Sequence, residues 1–217
     1  MKFLRLAVLA GLIGSAMAIG GARAATLQVE LSSKTGSPLA DAVIYAIPDG
    51  KTPMKAPGTA EIDQIKRTFV PKVTILQTGT SVTFPNKDNI EHDVYSFSSA
   101  KTFELKLYSG VPAHPVVFDK PGLVTLGCNI HDQMIAYVMV VDTSFFAKAD
   151  EHGIARIEGL PPGNYEIKAW HYSLPDGTAL PSRRVTISTD QTIKFPLDAA
   201  SGGSGMMGMM GMSGSSS

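Results

Sequence analysis

Cys128-Asn129-Ile130-His131-Asp132-Gln133-Met134 places a thiol, an imidazole and a thioether within seven residues. Immediately upstream, Leu123-Val124-Thr125-Leu126-Gly127 alternates so that Val124, Leu126 and Cys128 share one apolar face. Downstream, residues 135–141 are an apolar run of strand length. Side chains three apart would also line one face of a helix, but the flanking β-pattern and Gly127 argue for strand, loop, strand. Cys128 then enters from the end of one strand, the loop carries His131 inward, and Met134 arrives at the start of the return strand. A soft thiolate with imidazole and a weak axial thioether favours copper over zinc, calcium or magnesium. Such a site needs a second histidine from elsewhere. The candidate is His92, in Phe84-Pro85-Asn86-Lys87-Asp88-Asn89-Ile90-Glu91-His92-Asp93-Val94, just past the strand at residues 81–84.

The rest of the chain has the same character. Residues 26–31, 73–76, 81–84, 103–107 and 123–126 alternate apolar and polar, and further strands are expected at 154–157, 165–170, 184–187 and 192–197. Turn signals separate them: Pro48-Asp49-Gly50, Lys120-Pro121-Gly122, Pro161-Pro162-Gly163 and Pro175-Asp176-Gly177. No segment sustains a capped 3.6-residue period, so any helix is short. The fold class is all-β, built as β-sandwiches.

Composition narrows the function. The 217 residues carry 19 Lys+Arg against 19 Asp+Glu, which excludes a nucleic-acid binder working through a broad basic face. With 44% hydrophobic and 18% charged residues the chain is globular. One cysteine permits no intramolecular disulfide and no multi-Cys zinc or iron–sulfur site. Residues 1–24 read as a signal peptide: Lys2 and Arg5, an apolar run over 6–19, then Ala22-Arg23-Ala24 as cleavage site, with Ala16-Met17-Ala18 as an alternative. Removing Lys2, Arg5 and Arg23 leaves 16 basic against 19 acidic residues, a mature charge of −3. No later segment approaches the roughly 18 apolar residues of a membrane span. An exported, periplasmic protein is expected.

The segment Phe84, Asn86, Asp88, His92, Val94 resembles the pattern around the first histidine ligand of the cupredoxins, the small type 1 (blue) copper proteins, as seen in plastocyanin and amicyanin. The C-x2-H-x2-M spacing is similar to amicyanin's short ligand loop. The resemblance runs over residues 61–142 and implies a Greek-key β-sandwich holding one copper through His92, Cys128 and His131, with Met134 axial. Three departures stand out. Asp93 replaces the usual Asn after the first histidine. Asn129 replaces the usual Thr or Ser after the cysteine, so Asn129 is expected to donate to Asp93. Ile130 and Asp132, not prolines, flank His131.

A second passage, Asp150, Gly153, Ile157, Gly159-Leu160-Pro161-Pro162-Gly163 and Tyr165, resembles a hairpin of carboxypeptidase-regulatory-like (prealbumin-like) β-sandwiches. Residues 27–47, with Gly36-Ser37-Pro38-Leu39 as the turn, supply their opening strands; the alternative is that these strands begin the copper module. On the first reading, residues 25–60 and 143–198 form a discontinuous sandwich around the copper domain at 61–142. Residues 199–217 are a Gly/Ser/Met-rich tail in which residues 206–212 hold five of the ten methionines, soft ligands suited to a further Cu(I).

The function expected is single-electron transfer, with copper handling (Cu(I) binding, delivery or resistance through the tail) as the alternative. Amicyanin resemblance implies a c-type cytochrome or an amine dehydrogenase as redox partner. No enzyme activity is expected: neither module offers a carboxylate pair or nucleophile motif. His114, His152 and His171 are scattered and contain no His-x-His pair of the kind multicopper oxidases use. These three are expected to be structural or solvent-facing.

Overall fold

The computed structural model describes residues 23–50, 54–175 and 177–199, and over them the chain is all-β with no helix. The signal-peptide reading, up to residue 22, and the tail from residue 200 lie outside the described residues. The chain opens with β1 (Ala25–Ser33) and β2 (Val43–Pro48). Three short strands follow, β3 (Thr59–Glu61), β4 (Asp63–Gln64) and β5 (Phe69–Val70), then β6 (Val73–Gln77) and β7 (Thr80–Thr83). Next come β8 (His92–Ser98), β9 (Lys101–Tyr108), β10 (Val116–Phe118), β11 (Gly122–Leu126) and β12 (Ala136–Val141). The last five are β13 (Phe146–Lys148), β14 (Ile154–Leu160), β15 (Gly163–Trp170), β16 (Ser182–Ile187) and β17 (Gln191–Leu197).

Two hydrophobic cores organise these strands. One lies with the sheets β14-β1-β17 and β13-β2-β15-β16 and contains Leu27, Val29, Leu31, Ile44, Ile157 and Ile167. The strict burial alternation along β1 is the period-2 pattern of a strand with one face on a core. The other core lies with β11-β12-β6, β10-β7-β3 and β8-β9, and holds Phe69, Phe84, Phe118, Leu126 and Val138. Burying each such side chain contributes about 1.5–3 kcal/mol.

The sheet β11-β12-β6 serves both cores. Along β12, Ala136, Val138 and Val140 enter the second core, while Met139 and Val141 enter the first, with Tyr137 packed against it. That division explains why residues 135–141 show no polar alternation: a strand buried on both faces reads as a continuous apolar run. β12 pairs parallel with β6 and antiparallel with β11. A groove of about 550 Å³ opens beside this sheet, lined among others by Tyr45, Tyr137, Met139, Trp170 and Tyr172.

One expectation is corrected. Residues 150–170 do not form a hairpin: β14 pairs with β1, whereas β15 pairs with β2 and β16 in another sheet. Pro161 and Pro162 have no N–H to donate to a hairpin ladder, and the Tyr165 hydroxyl donates to the Pro161 carbonyl at 2.7 Å, fixing a corner between sheets. Gly153 is required nearby, since its φ is +75° and a Cβ there would meet the Leu31 carbonyl oxygen at 2.4 Å.

Candidate metal centre

Two elements from different sheets are stitched together where the loop from Cys128 to Met134 begins. Gly127, just past β11, donates to the Tyr95 carbonyl and accepts from the Tyr95 N–H, both at 3.0 Å. This ties the strand that starts at His92 to the residue before Cys128. A Cβ on Gly127 would lie 2.7 Å from the Tyr95 ring, so only glycine fits with the ring in place. From there the chain turns back, the Met134 N–H donating to the His131 carbonyl at 2.8 Å, and enters β12 two residues later.

The fold brings His92, Cys128 and His131 together, their donor atoms all within 4.8 Å of one another. His92 Nδ1 lies 3.8 Å and His131 Nδ1 3.9 Å from Cys128 Sγ. Both distances are shorter than the roughly 4.3 Å spanned by one metal–sulfur and one metal–nitrogen bond, so a first-row ion fits between the donors. The imidazole rings sit edge to face at 4.9 Å. His92 is fully buried, Cys128 nearly so, and His131 half-buried at the surface. Met134 is buried in the same core as Cys128, beside Val124 and Leu126. His92 opens β8 itself; the loop 84–91 separates it from the strand expected before it.

A thiol in this setting resists ionisation. Burial, followed by the hydrogen bond that the thiol donates to the neighbouring Asp93 carboxylate, pushes Cys128 above its ordinary value. A metal ion binding there must displace that proton, which couples metal uptake to proton release.

The residues around the donors are held by hydrogen bonds. Asp93 is buried, and its carboxylate accepts from the Asn129 backbone N–H at 2.7 Å and from the Asn129 side-chain amide. The loop before His92 is knitted by Asn86, whose amide donates to the Ile90 and Tyr108 carbonyls at 2.8 Å and whose oxygen accepts from the Asp88 N–H at 3.0 Å. Phe84 anchors this loop in the core, 5.8 Å from the Phe103 ring. Tyr108, opposite His92 in the β8–β9 register, donates to the Phe84 carbonyl at 2.6 Å. Burial pushes its phenol up to about 12, so it stays a neutral donor.

Sequence reasoning missed one contact of this layer. Asp88 Oδ2 lies 2.9 Å from His92 Nε2. The four-residue interval between an acid and a candidate ligand was visible in the sequence, but a loop has no fixed period from which to read a contact. Of the other histidines, His114 and His152 are exposed. His171 is buried and structural, bonded to Ser173 Oγ at 2.6 Å and to the Ala40 carbonyl at 3.1 Å.

No protein-family model matches the chain, and no curated protein matches it. Solved structures do. A copper-containing nitrite reductase from Thermus scotoductus SA-01 is 24% identical over 44% of this chain and 25% of its own, with a TM-score of 0.36. A purple cupredoxin from Nitrosopumilus maritimus is 21% identical over 38% of this chain and 99% of its own, with a TM-score of 0.34. A variant of amicyanin in its reduced Cu(I) form is 19% identical over 45% and 99%, with a TM-score of 0.36. The chain therefore spans about a quarter of the length of the nitrite reductase.

Proposed function

We propose that this chain is a type 1 copper protein that carries single electrons between redox partners, with His92, Cys128 and His131 as strong ligands and Met134 as the weak axial one. One observation carries the reading: two imidazole Nδ1 atoms from different parts of the chain lie within 4 Å of a single buried thiol in a β-sandwich. Copper bound there supplies a one-electron couple, and the thiolate–imidazole–thioether set is the one that suits it. The chain's own residues do the rest. The apolar core around Cys128 and Met134 excludes water, and the Tyr95–Gly127 bonds hold the two ligand-bearing segments in one geometry. Half-buried His131 is the edge nearest a partner. Ile130 is exposed beside it, and Asp132 adds a negative charge that biases the choice towards a partner with a basic rim.

Visible absorption of the copper-loaded oxidised protein tests the assignment. An intense thiolate-to-Cu(II) band is expected, lost in Cys128→Ser and kept with a shifted potential in Met134→Leu. A colourless Cu(II) protein refutes it. The partner we favour is a c-type cytochrome or an amine dehydrogenase, and the compartment the periplasm, reached through the leader at residues 1–24. The chain divides, on this proposal, into a copper module at 61–142 and a prealbumin-like sandwich from 25–60 and 143–198.

The Met-rich segment 206–212 favours a second reading, copper handling. Thioethers need no deprotonation and select Cu(I). Full-length protein would then bind more Cu(I) under reducing conditions than a chain ending at Asp198, with the coloured site unchanged in both. Equal stoichiometry and affinity would reduce the tail to a linker.

A further inference from the structure

We infer that Asp88 is a positioning residue for His92: its carboxylate fixes which ring nitrogen carries the proton and so aims the free Nδ1 lone pair at Cys128. The inference rests on the copper reading above for its consequence, but not for its geometry. His92 is fully buried, and its Nε2 lies 2.9 Å from Asp88 Oδ2, whose side chain is only 13% exposed. A carboxylate can only accept, so Nε2 must be the donor. A neutral imidazole has one N–H, which leaves Nδ1 unprotonated, 3.8 Å from Cys128 Sγ. The ring is thereby held in the tautomer and rotation that a metal on Nδ1 requires.

The carboxylate is itself held from behind. The Lys66 N–H donates to Asp88 Oδ1 at 2.6 Å and the Arg67 N–H to Oδ2 at 2.8 Å. Both donors sit at left-handed φ, 52° and 56°, in a turn closed by reciprocal Ile65–Thr68 backbone bonds. Two consecutive non-glycine residues in that conformation are uncommon. Here they turn adjacent N–H groups onto one carboxylate, and the Asn86 side chain braces the same residue through the Asp88 N–H. The chain of contacts runs from the β4–β5 turn through Asp88 to the buried ligand and ends at the thiol. A carboxylate on the far nitrogen also makes the imidazole a more basic donor, which stabilises the more positive oxidation state of a bound metal. Asp88 therefore lowers the reduction potential as well as orienting the ring.

The first test needs neither metal nor mutation. Nitrogen-15 NMR of the full-length metal-free protein should show His92 protonated on Nε2, with that proton slow to exchange. A proton on Nδ1 overturns the inference. In Asp88→Asn the Nε2 proton should exchange faster. After copper loading, that variant should lose metal about 10–100-fold more readily, with a raised potential and its colour kept. An Asp88→Asn protein that is less stable, yet unchanged in His92 exchange, copper affinity and potential, makes Asp88 a turn anchor only and overturns the inference. If the parent takes up no coloured copper, the functional reading fails while the NMR result still decides the tautomer.

Discussion

Adjacent residues of β12 belong to different cores, and truncating each in turn tests whether those cores unfold as one. Val138 is fully buried in the core that contains Cys128, and Met139 is 2% exposed in the core shared with β1 and β2. Val138→Ala deletes two methyl groups inside a closed core. At about 0.8 kcal/mol each plus a cavity term, the loss is roughly 2–3 kcal/mol. Met139→Ala deletes more, but Met139 borders the open groove beside Trp170 and Tyr172. The space left joins that groove, so the cost falls near the low end of the roughly 2–5 kcal/mol range for such changes. Both variants should therefore lose about 2–3 kcal/mol. For a chain of this size that lowers Tm by about 4–12 °C. Because β6, β11 and β12 form one sheet with a face in each core, calorimetry should show a single transition that moves in both variants. The reasoning is refuted if Met139→Ala splits the melt in two and leaves the transition reported by the ligand loop where it was.

Three further outcomes follow from the site and its frame. Asp93→Ala should cost about 1.5–3 kcal/mol, since it removes both hydrogen bonds that Asn129 donates to the buried Asp93 carboxylate, and should loosen copper binding in a chelator competition; unchanged retention would make the Asp93–Asn129 pair dispensable. Gly127→Ala should force the Tyr95 ring out of position, visible as a change in the near-ultraviolet dichroism of the folded protein. His171 is held below its ordinary value near 6.5, first by burial, so the unfolded chain takes up its proton at higher pH than the folded one. Stability should accordingly be undiminished above about pH 6.5 and fall as pH drops through the lowered folded value, and His171→Gln should flatten that slope in denaturant titrations across pH 5–7.

Strong local patterns were legible in the sequence and contacts between distant loops were not. Alternation along residues 26–31 marked β1, and the apolar run at 135–141 marked β12, though not that its two faces serve different cores. The interval between Cys128, His131 and Met134, read against the strands on either side, was enough to nominate the ligands, and His131 and His92 do lie beside Cys128. The expected Asn129 donation to Asp93 is present too. What escaped has physical reasons. β4 and β5 are two residues each, too short for any period to register. Lys66 and Arg67 take left-handed backbone without the glycine that would announce it. The Leu160-Pro161-Pro162-Gly163 passage carries the turn residues of a hairpin and yet crosses between sheets, because the partner of β14 is β1, more than 120 residues away. Asp88 stood in the motif, but its setting depends on a turn 21 and 22 residues earlier.

The pairing of β1 with β17 bears on when the molecule can fold. The two run parallel, Leu27 beside Gln191 and Ser33 beside Leu197, so β1 leaves the ribosome more than 150 residues before the strand it pairs with. Contacts of such sequence separation are slow to form, because the loop between them must close before they reward it. Strands β3 to β12, in contrast, find their partners within residues 59–141. A nascent chain would thus gather the strands that bring His92 and Cys128 together while β1 was still searching. Until β17 arrives, β1 lacks one of its two neighbours and exposes a free edge, the kind of surface that invites pairing with another chain. The hazard of misassembly is concentrated at β1 and β17, away from the segment that holds the thiol and imidazoles.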